Sequence, residues 1–263
     1  MPQRTGNLLV GLNSTHSRLH AVASIAFLSL FISSGLGCSL ASRGQNITGV
    51  QLYQQGQYQQ AASVFRQSIQ SDPWNADGYY NLAATQYRLG RANNSSGDLQ
   101  QAENLYHQAL DRNPNHQPAY RGLTVLLVQQ GRTDDAITML RGWSQRSPEL
   151  AAPKIELARL AEEFNQFDTA QEYLLEAASI DPHNARALAA LGSLREQTGD
   201  VDQALNDYQR SLAINSRQPQ IMQRVAQLSR TKGGPVSGIY NGVGAPGTTA
   251  NTRLVDSNTL RLR

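Results

Sequence analysis

Cysteine is almost absent from the 263 residues of this chain, since Cys38 is the only one. A single cysteine excludes an intramolecular disulfide framework and a zinc site built from several thiolates. Aromatic residues make up only 6% of the chain, and the mean hydropathy is −0.46. This composition is typical of a helical, water-soluble body and argues against a protein that crosses a membrane many times.

The chain after Cys38 also lacks an excess of positive or negative charge. Of the 23 basic residues, Arg4 and Arg18 precede Cys38, which leaves 21 basic residues against 20 acidic ones. No dense block of lysine and arginine occurs in the remainder. The sequence therefore offers no footprint for nucleic acid, and we expect no nucleic-acid partner.

Motifs for catalysis and for metal binding are missing as well. The sequence contains no Gly-x-Ser-x-Gly and no His-Glu-x-x-His, and its five histidines show no metal-ligand spacing. Adjacent Glu162 and Glu163 would diverge by about 100° on a helix, so they do not converge on one substrate. A phosphate-loop match at 242–247 follows no strand and contains Pro246. We expect no enzyme activity, no metal, no cofactor and no small-molecule substrate.

The first forty residues combine a basic flank, an apolar run and small residues. Residues 21–37 carry no charge, which is the layout of a secretory signal. The Gly37–Cys38 junction resembles the lipobox of bacterial lipoproteins, which implies cleavage after Gly37 and acyl chains on Cys38. Ser39 is similar to the residue that follows this cysteine in lipoproteins sorted to the outer membrane. Residues 1–37 are thus predicted to be a leader, and 38–41 a short tether on the periplasmic side of that membrane.

Two alternatives stay open for this segment. An apolar run of this length could remain in place as an uncleaved helical anchor. Ordinary cleavage could instead leave a soluble secreted chain with a free thiol. All three interpretations place the remainder of the chain outside the cytosol.

A period of 34 residues, with one interval of 41, runs through the middle of the chain. Three series share this spacing: four prolines after helical runs, with Ser216 in place of a fifth, then glycine or asparagine in mid-repeat, and alanines after them. Proline stops a helix because it lacks an amide hydrogen, and glycine or asparagine can take the positive φ that ends one. The series are Pro73, Pro114, Pro148, Pro182 and Ser216; Gly56, Gly90, Gly131, Asn165, Gly199 and Gly233; and Ala61, Ala102, Ala136, Ala170 and Ala204.

These marks resemble the tetratricopeptide repeat, most clearly in YYNLAATQYRLG at 79–90 and TAQEYLLEAASIDP at 169–182. The resemblance implies an all-α fold, a right-handed solenoid of about five helix pairs plus a C-terminal capping helix. The predicted repeats are 42–75, 76–116, 117–150, 151–184 and 185–218, and the predicted cap is 219–233. Residues 234–263 lack a helical period and are predicted to be a disordered tail.

The longer interval of 41 residues places seven extra residues in the second repeat, within the stretch RANNSSGD. This stretch falls between the two helices of that repeat. We expect it to form a surface bulge in the turn, where insertions are tolerated.

A stack of helix pairs presents a concave surface made from its first helices, and the resemblance assigns the lining of that groove. Tyrosine and arginine in the lining are frequent binding hot spots. We expect the groove to bind an extended segment of a partner protein, although Tyr80 and Tyr87 could instead pack between neighbouring helices. The predicted groove residues are Tyr53, Tyr80, Asn81, Tyr87, Arg88, Arg121, Val125, Val128, Ile155, Arg159, Glu162 and Glu196.

The sequence thus favours a non-catalytic adaptor that is tethered by lipid in the cell envelope. It is similar to small repeat lipoproteins that act as pilotins in pilus or secretin assembly, or that scaffold cell-wall enzymes. One alternative is a structural protein that assembles copies through its convex face, the extra residues or the tail. Another is a regulatory subunit of an envelope enzyme.

Overall fold

A computed structural model describes residues 42–231, which form eleven α-helices and no strand. The predicted leader, Cys38, the tether and the tail lie outside the described residues. The helices are α1 (42–54), α2 (Tyr58–Ser71), α3 (Ala76–Asn93), α4 (Ser96–Arg112), α5 (Gln117–Gln129), α6 (Thr133–Arg146), α7 (Ala152–Glu163), α8 (Phe167–Ile180), α9 (Ala185–Gln197), α10 (Val201–Ile214) and α11 (Pro219–Thr231).

Consecutive helices pack in pairs, and the pairs stack side by side. From α2 onward each helix contacts the next one in the chain, and α3, α5, α7 and α9 also contact one another in succession. The described residues therefore form five pairs, from α1/α2 to α9/α10, with α11 packed on α10. The predicted all-α solenoid of five helix pairs and a C-terminal capping helix is confirmed.

Most pairs turn at a residue with positive φ. The angle is 77° at Gly56, 76° at Gly131, 56° at Asn165 and 90° at Gly199. Glycine reaches this left-handed region without a steric penalty, and asparagine reaches it at a small one. The mid-repeat series of glycine and asparagine thus ends the first helix in four of the five pairs.

Small residues let the helices approach one another closely. The alanines at 61, 102, 136, 170 and 204 are all completely buried on the second helices. Gly122 on α5 meets the fully buried Tyr106 of α4, where an added Cβ would lie 2.5 Å from the ring carbons. A side chain larger than hydrogen at this position would force the two helices apart.

The second pair differs from the expected bulge because the extra residues are helical. Gly90 lies inside α3 rather than ending it, and Asn94 takes the left-handed conformation, with φ of 50°. Ser95 then caps α4 by accepting a hydrogen bond from the Asp98 N–H at 3.2 Å. As a result α3 has 18 residues and α4 has 17, whereas α5 has 13 and α6 has 14. Extended helices pair backbone groups that a bulge would leave to solvent.

Buried apolar side chains form three clusters along the stack. The first spans α1 to α7, the second spans α7 to α9, and the third joins α10 and α11 around Tyr208 and Val225. Each cluster lies between neighbouring helices, so the core is an elongated strip in three parts rather than a sphere. Within residues 42–231, no helix combines the length and the apolar character needed to cross a bilayer.

Candidate functional site

All the predicted groove residues lie on α1, α3, α5, α7 and α9, whose shared side of the stack is called the inner surface below. Six of them are buried, each at most 7% exposed: Tyr53, Tyr80, Asn81, Tyr87, Val125 and Ile155. The other six are half-buried: Arg88, Arg121, Val128, Arg159, Glu162 and Glu196. Five of these six are charged, so the accessible part of the predicted lining is charged rather than aromatic.

The tyrosines of α3 pack between repeats, which is the alternative that the sequence left open. Tyr80 is 2% exposed, and its ring centre lies 6.2 Å from that of Tyr106 and 5.4 Å from that of His116. The Tyr87 hydroxyl donates a hydrogen bond to Gln129 Oε1 on α5 at 2.6 Å. Burial raises the pKa of Tyr87, although the charge of Arg91 and this hydrogen bond oppose the rise. Tyr87 thus joins the first helices α3 and α5, whereas Tyr80 packs against α4 and against His116, which precedes α5.

Polar side chains make similar links between α1 and α3. Asn81 Nδ2 donates to Asn46 Oδ1 at 2.9 Å, and both residues are buried. Arg88 Nε donates to the Tyr53 hydroxyl at 3.1 Å. Because buried polar groups need hydrogen-bond partners, these pairs fix the spacing of successive first helices.

Glu156 on α7 is the centre of a charge cluster, and its side chain is completely buried. Arg121 of α5 binds both carboxylate oxygens, with Nη2 at 2.6 Å from Oε1 and Nε at 3.1 Å from Oε2. Arg159 Nε, one turn along α7, donates to Oε2 at 3.2 Å. Arg186 Nη2 of α9 and Gln117 Nε2 of α5 reach Oε1 at 3.4 Å and 2.9 Å. These three arginines and Glu156 are called the arginine cluster below.

Opposing effects set the pKa of Glu156. Burial would raise it, because burial removes the carboxylate from water. The charge and hydrogen bonds of Arg121, together with the charges of Arg159 and Arg186, outweigh burial and lower the pKa from 4.5 to about 2. The carboxylate is therefore ionised at neutral pH.

The arginine cluster retains hydrogen-bond donors that Glu156 does not use. Arg159 Nη2 is buried and has no hydrogen-bond partner among the residues that the structure describes. The Arg186 side chain is 47% exposed and makes only the longest of the bonds to Glu156. Glu163 supplies a second carboxylate, 3.6 Å from Arg159 Nη1. The exposed part of the Arg186 guanidinium can bind a further carboxylate.

The carboxylate predicted near the C-terminal end of the groove has its own counter-ion. Glu196 on α9 accepts hydrogen bonds from Arg224 Nε of α11 and from the Tyr208 hydroxyl, both at 3.0 Å. Burial and the bond to Glu196 raise the pKa of Tyr208 to about 12. The capping helix thereby neutralises this end of the inner surface.

The pair formed by buried His116 and half-buried Asp77 has a structural role. His116 Nδ1 accepts a hydrogen bond from the Ala119 N–H at the start of α5, so the ring proton is on Nε2. His116 Nε2 lies 2.9 Å from Asp77 Oδ1 and donates to it. The pair therefore caps α5 and joins it to α3. Elsewhere in 42–231, no three side chains of the metal-binding types converge.

Sequence reasoning missed Glu156, Gln117 and Arg186. Glu156 was not distinguishable from the other acids of its helix, because its burial depends on partners 35 residues earlier and 30 residues later. The available signal was the presence of arginine in each of three consecutive first helices, at Arg121, Arg159 and Arg186. These arginines flank a glutamate that lies three positions before Arg159.

Family models of the tetratricopeptide repeat match this chain at residues 49–90, 94–154 and 155–219. Together the three matches span more than half of the sequence. No curated protein sequence matches the chain.

Solved structures of repeat proteins are similar to it. A thermophilic TPR protein of Thermus thermophilus has a TM-score of 0.53 at 23% identity, over 72% of this chain and 98% of that one. The pilF protein of Pseudomonas aeruginosa has a TM-score of 0.47 at 18% identity, over 75% and 86%. YrrB, described as a TPR protein with an unusual peptide-binding site, has 0.39 at 14% identity, over 67% and 87%. With the stacked helix pairs and the matched repeats, the chain belongs to the tetratricopeptide-repeat family.

Proposed function

We propose that this protein is a non-catalytic adaptor that binds an extended acidic segment of a partner protein along its inner surface. Repeat solenoids of this kind use their concave side as an extended binding surface. The arginine cluster carries the proposal, because it gathers three guanidinium groups around one carboxylate, that of Glu156. Arginine donates to a carboxylate through two parallel hydrogen bonds, which gives the contact both strength and direction.

The spacing of the helices supports an extended ligand. The cluster draws one arginine from each of α5, α7 and α9. Packed helices lie about 8–10 Å apart, so a segment that crosses all three must span roughly 20 Å. An extended chain covers this length with about six residues. A partner would therefore present a short strand-like stretch that contains acidic side chains.

The proposed adaptor is held at a membrane of the cell envelope through acyl chains on Cys38. The support is the sequence pattern of residues 21–38, an uncharged apolar run that ends in small residues before the single cysteine. Each buried methylene contributes about 0.8 kcal/mol, so several chains hold a water-soluble body durably. Mass spectrometry of the amino terminus of protein purified from bacterial membranes should show Cys38 as the first residue, with added acyl chains. An intact leader or an unmodified Cys38 would contradict the tether.

Binding is tested with a fluorescein-labelled peptide of about eight residues in which glutamate and serine alternate. Fluorescence anisotropy should show binding of this peptide and none of the matching lysine peptide. Arg186→Ala should weaken binding about tenfold, because one hydrogen bond between charged groups is lost. Arg186 suits the test since its bond to Glu156, at 3.4 Å, is the longest in the cluster, so the fold should persist.

Arg66→Ala is the matched control, because Arg66 is exposed on α2, away from the inner surface. It should bind the glutamate peptide as the unmodified protein does. Circular dichroism of both variants checks that the helices are intact. Equal affinity of Arg186→Ala and Arg66→Ala for the peptide would show that the arginine cluster is not the binding surface.

A further inference from the structure

Trp74, in the turn between α2 and α3, is the most exposed large apolar side chain among the described residues, at 78%. Trp143, the other tryptophan, is 1% exposed and stacks on Tyr120, with ring centres 4.0 Å apart. An isolated exposed indole leaves a large apolar area in water. Neither the helix pairing nor the inner surface accounts for Trp74.

The turn holds the indole in a defined position. The backbone N–H of Trp74 donates a hydrogen bond to Asp72 Oδ1 at 3.1 Å. Arg112 of α4 donates through Nε to the Pro73 carbonyl at 3.0 Å, and its guanidinium lies 5.1 Å from the centre of the Trp74 ring. This cation–π contact covers one face of the indole and leaves the rest open. The backbone of the turn is thus held by hydrogen bonds, and Arg112 supports one face of the ring.

Trp74 lies beside the point where the described chain begins. Asn75 Nδ2 donates to Ser42 Oγ at 3.4 Å, and Ser42 also contacts Ser68 of α2, with hydroxyl oxygens 3.0 Å apart. Cys38 is four residues before Ser42. Four residues span at most about 14 Å, even when fully extended. Any membrane anchor at Cys38 therefore brings this turn close to the bilayer.

The charged residues around this turn do not favour anionic lipids over neutral ones. Arg43 is exposed and Arg112 half-buried, but Asp72 lies in the same turn and Asp111 precedes Arg112. Tryptophan, by contrast, favours the interface between lipid headgroups and acyl chains, where its ring is apolar and its N–H meets water. The apolar ring, rather than net charge, is the feature that fits a membrane here.

We infer that the Trp74 turn docks on the lipid bilayer next to the Cys38 anchor and thereby sets the orientation of the solenoid. This inference rests on the proposed membrane tether. A second contact beside the lipid would stop the solenoid from rotating freely about its tether. The inner surface would then face a fixed direction relative to the membrane.

The test uses the full chain, purified from membranes and reconstituted in vesicles of phosphatidylcholine that carries bromine on its acyl chains. Bromine quenches only tryptophans that enter the lipid, so Trp74 emission should fall while buried Trp143 stays bright. Trp74→Phe should lose the quenching, since Trp143 alone remains. Phosphatidylcholine has no net charge, so quenching should persist in the absence of anionic lipid and in high salt.

The control moves the exposed indole to the other side of the stack. Phe164, at the turn between α7 and α8, is 44% exposed, and Trp74→Phe combined with Phe164→Trp places a tryptophan there. This variant should not be quenched. Quenching of the control to the extent of the unmodified protein, or none in the unmodified protein, would overturn the inference.

Mass spectrometry of the amino terminus shows separately whether Cys38 carries acyl chains, and so tests the tether independently of the docking surface. If Cys38 proves unmodified, a maleimide lipid coupled to this single thiol supplies the anchor and the quenching measurement proceeds. Quenching of Trp74 in that preparation would support the docking surface although the natural acyl chains are missing. If Trp74 emission were not quenched in that preparation, the inference that the Trp74 turn docks on the bilayer would be wrong.

Discussion

At the scale of single residues, Glu156 makes stability depend on pH. Its pKa is about 2 in the folded protein against 4.5 for an unperturbed glutamate. A depressed pKa stabilises the folded state above the unfolded value, and this contribution is lost as the pH falls from about 4.5 to about 2. For a completely buried group the difference corresponds to about 3 kcal/mol.

Glu156→Gln should therefore lower the free energy of unfolding near pH 7 by about 3–5 kcal/mol, because three arginines lose a buried counter-ion. The free energy of unfolding of the variant should also fall less between pH 4.5 and about pH 2, because the carboxylate that causes this fall is missing. Urea unfolding near pH 7 and near pH 3, followed by circular dichroism, measures both effects.

Glu176→Gln is the control for this substitution. Glu176 pairs with Lys154, but its side chain is 52% exposed. An exposed ion pair contributes less than about 1 kcal/mol, so this variant should unfold almost as the unmodified protein does. Indistinguishable unfolding curves for the two variants would mean that Glu156 is not the centre that holds α5, α7 and α9.

At the scale of helices, the end of α3 shows how the extra residues were accommodated. An added Cβ on Gly90 would lie 2.9 Å from Leu99 Cδ2, so the two helices remain in close contact at this level. This contact allows both helices to continue before they turn. The stretch RANNSSGD indicates a turn by its composition, but composition does not say at which residue the turn begins. The position of the turn was therefore not predictable from the sequence.

Asn94 has the role that Gly56, Gly131, Asn165 and Gly199 have in the other pairs. Asn94→Ala should lower the free energy of unfolding by about 1–2 kcal/mol, because alanine is strained at φ of 50°. Asn94→Gly should preserve or slightly raise stability. Thermal unfolding of the three proteins gives the comparison.

Asn93 provides a matched control, since it has the same side chain, is also exposed and lies within α3. Asn93→Ala should be neutral or slightly stabilising, because alanine is the better helix former. Equal destabilisation by Asn93→Ala and Asn94→Ala would show that the left-handed turn is not what ends α3.

At the scale of the whole molecule, the fold was predictable because it repeats. A period of 34 residues fixes where each helix pair begins, and the buried alanines, such as Ala61 and Ala102, follow from that period. The accessible lining was less predictable. Tyr80 and Val125 lie on the expected side of their helices but are 2% and 0% exposed. Tyr80, for example, packs against Tyr106 and His116, which lie far from it in the sequence. Exposure depends on these distant neighbours, which periodicity alone does not describe.

The two proposed surfaces lie at different positions along the stack. Trp74 belongs to the first turn between repeats, whereas the arginine cluster draws on the third, fourth and fifth pairs. With helices spaced about 10 Å apart, the cluster begins roughly 20–30 Å from the first pair. A bound segment would thus be held a few nanometres along the solenoid from the end that is proposed to adjoin the membrane.

The shared carboxylate of Glu156 also has a mechanical consequence. It ties three consecutive first helices at one point, whereas α9 and α11 are joined on this side through the half-exposed Arg224. Such a solenoid is stiffest in its middle and most compliant at its free end. A load between the proposed anchor and a polypeptide held at the arginine cluster would pass through the first repeats, so these would bend before the tied helices α5, α7 and α9 do.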